Sequence, residues 1–75
     1  MDYSGDRITG IVRNNTGRDY SYVQVEFNIY DSTGAQIGST MDNINNLEPH
    51  GTWRFSAYVF ESNGTKCRLK DITGW

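Results

Sequence analysis

From Tyr20 to Gly34 the chain reads Tyr-Ser-Tyr-Val-Gln-Val-Glu-Phe-Asn-Ile-Tyr-Asp-Ser-Thr-Gly. Val23, Val25, Phe27 and Ile29 fall on one parity, and Gln24, Glu26, Asn28 and Tyr30 on the other. A two-residue repeat separates apolar from polar side chains this way only on a strand, so the pattern predicts one long, half-buried strand. Asp31 to Gly34 then places a side-chain acceptor at the head of a turn and a residue tolerant of positive φ at its end. An immediate reversal into a hairpin follows. The second such run has Trp53, Phe55, Ala57 and Val59 alternating against Arg54, Ser56, Tyr58 and Phe60, which predicts a second core strand.

The remaining segments carry weaker patterns. Arg7 to Asn14 alternates with Ile8, Gly10 and Val12 inward and Thr9, Ile11 and Arg13 outward, Ile11 being the apolar exception on its face. Asn14-Asn-Thr-Gly17 and Arg18-Asp19 have turn composition and are expected to close a first hairpin. Ala35 to Thr40, around Ile37, reads as a modest edge strand. Met41 to Asn46 is rich in Asp and Asn, with Ile44 its main apolar residue, and is expected to be loop or irregular extended chain. Leu47 to Gly51 predicts a turn in which Pro49 fixes φ and Gly51 takes the unusual dihedrals. Ser62-Asn-Gly64 predicts another hairpin turn before a strand over Lys66 to Ile72, built around Cys67 and Leu69. Ile72 breaks that parity, which is either a bulge or the end of the strand.

Five or six short strands with turn signals between them and no helical period predict an all-β, antiparallel sandwich or small barrel. The rows led by Phe27 and Trp53 are expected to face each other from opposite sheets. Ile8, Val12, Ile37, Leu47 and Leu69 would close the sides.

With 75 residues the chain has room for one domain. Seven basic against nine acidic residues give a net charge of -2, without the basic footprint of a phosphate-backbone binder, so nucleic acid is not an expected partner. Aromatic content of 13 % together with the regular alternation argues for a folded chain despite a mean hydropathy of -0.66. No apolar run reaches the ~18 residues that span a bilayer, and no basic region followed by an apolar one opens the chain. Any export signal or membrane anchor is therefore expected outside this stretch, which reads as a segment of a longer protein.

Chemistry-bearing residues are sparse. His50 is the single histidine, in a Pro-His-Gly turn, and Cys67 the single cysteine, which leaves no intrachain disulfide. One of each is too few for a zinc site or a nucleophilic triad. On a strand, Lys66, Arg68 and Lys70 point away from Cys67, so Cys67 reads as a small buried hydrophobe. Asp42, Asn43, Asn45, Asn46 and Glu48 supply oxygen ligands of the kind calcium takes, but without EF-hand spacing, and read as a solvated polar loop. Asn14-Asn15-Thr16 and Asn63-Gly64-Thr65 match the glycosylation sequon and read more simply as turn asparagines. The nine acids form no pair that can be selected for acid/base work, and no glycine-rich phosphate loop is present. No cofactor and no metal are expected. The candidates for recognition are outward aromatics, Tyr22 and Tyr30 on the first strand and Tyr58 with Phe60 on the second, together with Arg54. Such rings can anchor a protein or stack on a sugar, and can equally shield the sheet by cross-strand pairing. An unpaired sheet edge offers strand addition as another route.

Three blocks together resemble a known family: Ile8-x-Gly10-x-Val12-x-Asn14, then Val23-x-Val25-x-Phe27-Asn28-Ile29-Tyr30-Asp31-x-x-Gly34, then Leu47-x-Pro49-x-Gly51-x-Trp53-x-Phe55. In order and spacing they are similar to the FxLYD domain, with Ile29 in the position of its leucine. The resemblance covers residues 7 to 72 and implies one small antiparallel immunoglobulin-like β-sandwich of about five to seven strands, with residues 1–6 and 73–75 as tails. It further implies an extracytoplasmic setting in a bacterial surface protein or lipoprotein; with the patterned residues used by the fold and no site left, the expected role is a non-catalytic spacer or protein-interaction module, expected as a monomer. The family carries no catalytic residues to transfer. The alternative is a module binding carbohydrate or a small ligand through Tyr22, Tyr30, Arg54 or Tyr58. Expected partners are thus a protein or a cell-wall glycan.

Overall fold

The computed structural model describes residues 2–4 and 6–75. Six strands follow one another: β1 (Asp2–Ser4), β2 (Arg7–Arg13), β3 (Tyr20–Tyr30), β4 (Gln36–Leu47), β5 (Thr52–Tyr58) and β6 (Lys66–Gly74). They pair antiparallel into two three-stranded sheets, β1-β2-β5 and β4-β3-β6, and among the described residues there is no helix. The chain is an all-β sandwich.

The two strongest alternating runs meet as expected. Val23, Val25, Phe27 and Ile29 from β3 are buried against Trp53, Phe55, Ala57 and Val59 from β5 and its extension. The Phe27 and Phe55 rings lie 5.5 Å apart, and Trp53 stands 5.9 Å from Phe55, tilted contacts that suit aromatic quadrupoles. Ile8 pairs with Ala57, Gly10 with Phe55 and Val12 with Trp53, so the inward row of β2 lies beside that of β5. Ile8 and Leu47 join the core and Val12 is half-buried. Ile37 and Leu69 do not close the sides: they are 36 % and 43 % exposed. Gly38, not Ile37, faces Ile29 across the ladder, which sends Ile37 to the outer face, and the three-strand sheet β1-β2-β5 leaves the inner face of β6 partly bare.

Turn composition located the reversals but not the partners. The β3–β4 connection is a hairpin, with Asp31 Oδ1 accepting from the Thr33 and Ala35 amides at 2.9 and 3.1 Å and from Thr33 Oγ1 at 2.6 Å, and with Gly34 at φ 88°. The segment from Asn14 to Asp19 is instead a crossover, because β2 pairs with β5 and β3 with β4 and β6. The Ser62 to Gly64 turn likewise carries the chain from one sheet to the other. At the Pro49 turn the positive φ falls on His50 (58°), not on Gly51, whose role is steric: a Cβ there would lie 2.9 Å from the Glu48 carbonyl oxygen.

Met41 to Asn46 belongs to a 12-residue strand, not a loop. Its ladder with β3 runs through backbone pairs such as Gln24 with Asn43 and Tyr22 with Asn45, which do not depend on apolar side chains. The Ile72 irregularity is a bulge: Glu26 pairs with Asp71 and Phe27 with Leu69, leaving Lys70 as the extra residue and returning Ile72 to the face of Val25. The expected tails also lie partly inside the fold. Asp2–Ser4 is a strand of the first sheet, β6 runs to Gly74, and the Trp75 carbonyl accepts from the Ser21 amide at 2.7 Å.

Candidate functional site

The four recognition candidates divide between opposite sides of the sandwich. Tyr22 and Tyr30 stand on the outer parity of β3, whereas Arg54 and Tyr58 stand on the outer parity of β5 in the other sheet. With ~3.4 Å per strand residue, Tyr22 and Tyr30 are about 27 Å apart along one strand. No compact ligand touches all four.

The β3 side is the more organised. Tyr22 Oη donates to Gln24 Oε1 at 2.7 Å, Gln24 Nε2 donates to Glu26 Oε1 at 2.9 Å, and Glu26 Oε2 lies 3.7 Å from Lys70 Nζ. Strand periodicity aligns these side chains, and the bulge brings the extra residue Lys70 to the end of the row. Trp75 covers Tyr22 with ring centroids 4.9 Å apart, and Asn45 pairs opposite Tyr22. The result is a flat platform with an aromatic end and a row of amide and carboxylate groups, suited to stacking and hydrogen bonding. Trp75 was not singled out by sequence reasoning because it lies beyond the alternating runs; its aromatic type was the only available signal. Tyr30, at the far end, is covered by the Arg68 guanidinium at 5.6 Å.

On the β5 side, Tyr58 is 54 % exposed and lies under Arg7 at 5.6 Å, while Arg54 pairs opposite Ile11. Phe60, at 87 % exposure, follows the strand and joins neither pair.

The other candidates do not converge. His50 is exposed in the β4–β5 turn, its amide donating to the Thr16 carbonyl at 3.2 Å. Cys67 pairs opposite Ile29 at the other end of β3, packs against the core, and has its thiol pKa raised by burial. The oxygen-rich residues of β4 alternate between faces. Asp42 points inward, where its Oδ2 accepts from the Ser56 amide at 2.9 Å, while Asn43 and Asn45 point outward. Among the described residues no group of three or more His, Cys, Asp or Glu is placed to hold a metal ion.

Two polar features were missed. Asn14, read as a turn asparagine, is buried at 4 % exposure. Its Nδ2 donates to the carbonyls of Arg18 (2.7 Å) and Glu48 (3.0 Å), with Leu47 at 3.4 Å, and its Oδ1 accepts from the Thr16 amide and hydroxyl. It ties the β2–β3 crossover to the β4–β5 turn, and only its position after an alternating run hinted at this. Near the Cys67 end, Tyr3 Oη and Glu61 Oε1 are buried without a hydrogen-bond partner, and Gly64 and Gly38 leave the room they occupy. Burial, then electrostatic coupling to Cys67 and Glu61, pushes the Tyr3 phenol pKa up.

Two clefts flank β2. One of about 160 Å³ is lined by Val12, Asn14, Tyr20, Val23, Leu47 and Gly74 among others. The second, about 460 Å³, is lined by Asp2, Thr9, Gly10, Ile11 and Arg54. Compared with protein-family models, curated proteins and solved structures, the chain matches none.

Proposed function

We propose that this chain is a non-catalytic β-sandwich module of a larger bacterial surface protein or lipoprotein, serving outside the cytoplasm as a spacer or protein-interaction domain. The observation that carries the reading is the use of the two patterned rows. Phe27 and Phe55 lead faces that close on each other, and the chemistry-bearing residues His50 and Cys67 stand at opposite ends of the fold. The surface that remains is two broad sheet faces and a flank, which are shapes for contact. The bacterial, extracytoplasmic setting rests on the three-block resemblance to the FxLYD domain. The test is a panel of hydrolase and transferase substrates offered to the isolated domain. No turnover is expected, and turnover that vanishes when a residue of this chain is changed overturns the reading.

A second reading, a carbohydrate-binding module, is favoured by one observation, the Tyr22–Trp75 pair beside Gln24 and Asn45. Titration with soluble cell-wall glycans separates the two. Saturable chemical-shift changes confined to Tyr22, Gln24 and Trp75 support glycan binding, and unchanged spectra leave the protein-interaction reading in place.

A further inference from the structure

The outer faces of the two sheets differ in charge. β2 and β5 together carry Arg7, Arg13 and Arg54 and no aspartate or glutamate, in a chain whose nine acids outnumber its seven bases. The other sheet mixes signs, with Glu26 on β3 and Asp71 on β6 beside Lys66, Arg68 and Lys70. All three arginines of β2 and β5 take the outward parity, because Ile8, Ala57, Phe55 and Trp53 occupy the inward one. Among the described residues Arg7 alone of the three has an ion-pair partner, Asp6 at 3.7 Å, and Arg13 and Arg54 have none.

The ladder register sets the spacing of these groups. Each half of the face holds a cross-strand pair of one arginine and one apolar side chain, Arg7 opposite Tyr58 and Arg54 opposite Ile11. Four strand residues separate the pairs, about 14 Å, and the uncharged pair of Thr9 and Ser56 lies between them. Arg13, two residues beyond Ile11, stands diagonal to Arg54 on the same face. The Arg7 guanidinium covers the Tyr58 ring at 5.6 Å, which holds both side chains in place before any partner arrives. The apolar members are open to solvent, Ile11 at 61 % and Tyr58 at 54 % exposure. The outward alternation continues past buried Val59, whose amide donates to the Asp6 carbonyl at 2.8 Å, to the still more exposed Phe60. Arginine and aromatic side chains without lysine or acid are the composition of the energetic centre of a protein interface.

We infer that the outer face of β2 and β5 docks an acidic segment of a partner protein, its carboxylates on Arg13, Arg54 and Arg7 and its apolar side chains on Ile11, Tyr58 and Phe60. Opposite charge steers the segment to this face, and the apolar contacts hold it there. A phosphate or sulfate polymer would satisfy the arginines and leave the apolar side chains wet, whereas a polypeptide meets both needs at once. The inference deepens the protein-interaction reading and rests on it.

The probe is a random copolymer of glutamate and tyrosine, titrated into the ¹⁵N-labelled chain beside poly-glutamate and inorganic polyphosphate. Saturable shifts at Ile11, Arg13, Arg54 and Tyr58 are expected with the copolymer, weakening as salt rises, and poly-glutamate should bind about tenfold more weakly. Ile11→Ser, at an exposed position, narrows that gap while the Phe27 and Phe55 resonances stay in place. Arg13→Glu combined with Arg54→Glu abolishes the response to the glutamate copolymer and creates one to a lysine–tyrosine copolymer, a switch that misfolding cannot mimic. Polyphosphate binding as tightly as the copolymer makes the face a polyanion site and overturns the inference. Shifts confined to the Tyr22–Trp75 platform, no shift at all, or self-association of the chain through this face without copolymer capture also overturn it. In each case the interaction reading stands, since it falls separately, to turnover.

Discussion

The two flanks of this sandwich are closed by opposite means. On one, β4 lies against β5, and its polar inward residues Thr40 and Asp42 bond the exposed backbone of the β5 edge. On the other, β6 presents apolar Leu69 and Ile72 on its inward parity, and both remain exposed. The sealed flank is the polar one. A sheet edge offers unpaired amides and carbonyls as well as side chains, and leaving those groups buried and unbonded costs more than leaving a leucine wet.

The comparison can be broken in four places, in descending order of effect. Phe27→Ala removes the ring that both flanks share and is expected to cost ~3–5 kcal/mol, enough to unfold much of a domain this small; denaturant titration reads it, and a native-like midpoint would refute the shared seam. Asp42→Ala leaves the Ser56 amide without an acceptor and is expected to cost ~1–3 kcal/mol, with Asp42→Asn recovering part of it. Leu69→Ser, on the bare flank, is expected to stay within ~0.5 kcal/mol; equal losses for Asp42→Ala and Leu69→Ser would erase the distinction between flanks. Asp31→Asn has the smallest effect at neutral pH and serves to test the hairpin between the flanks. Hydrogen bonds, the Thr33 hydroxyl first, hold the Asp31 pKa below its ordinary 3.8. Because the folded value is the lower one, the charged carboxylate's contribution is present above pH 3.8 and is lost as pH falls through the folded pKa. Acid titration of the Thr33 and Ala35 amides in the parent should show that loss, and Asp31→Asn should remove the part that depends on pH.

How much of this was legible in the sequence varied with the kind of information. The inward rows of β3 and β5 were readable because burial on one face enforces a two-residue period. The bulge was readable as a broken parity at Ile72. Met41 to Asn46 was misread because an edge strand held by ladder bonds needs no apolar alternation. The partners of β2 were misread because Asn14 to Gly17 encodes a change of direction and not a destination. For the candidate site, strand parity placed Tyr22 and Tyr30 on one face and Arg54 and Tyr58 on another. Trp75 over Tyr22 and Asp42 on Ser56 are long-range juxtapositions that no local pattern records.

Asn14 also has a bearing on how the protein ages. Hydrolysis of its side-chain amide would replace a donor by a carboxylate oxygen aimed at the carbonyls of Arg18, Leu47 and Glu48. A single spontaneous chemical event would thus turn the clasp between two loops into a repulsive wedge, and the same burial that makes the clasp effective shelters it from that damage.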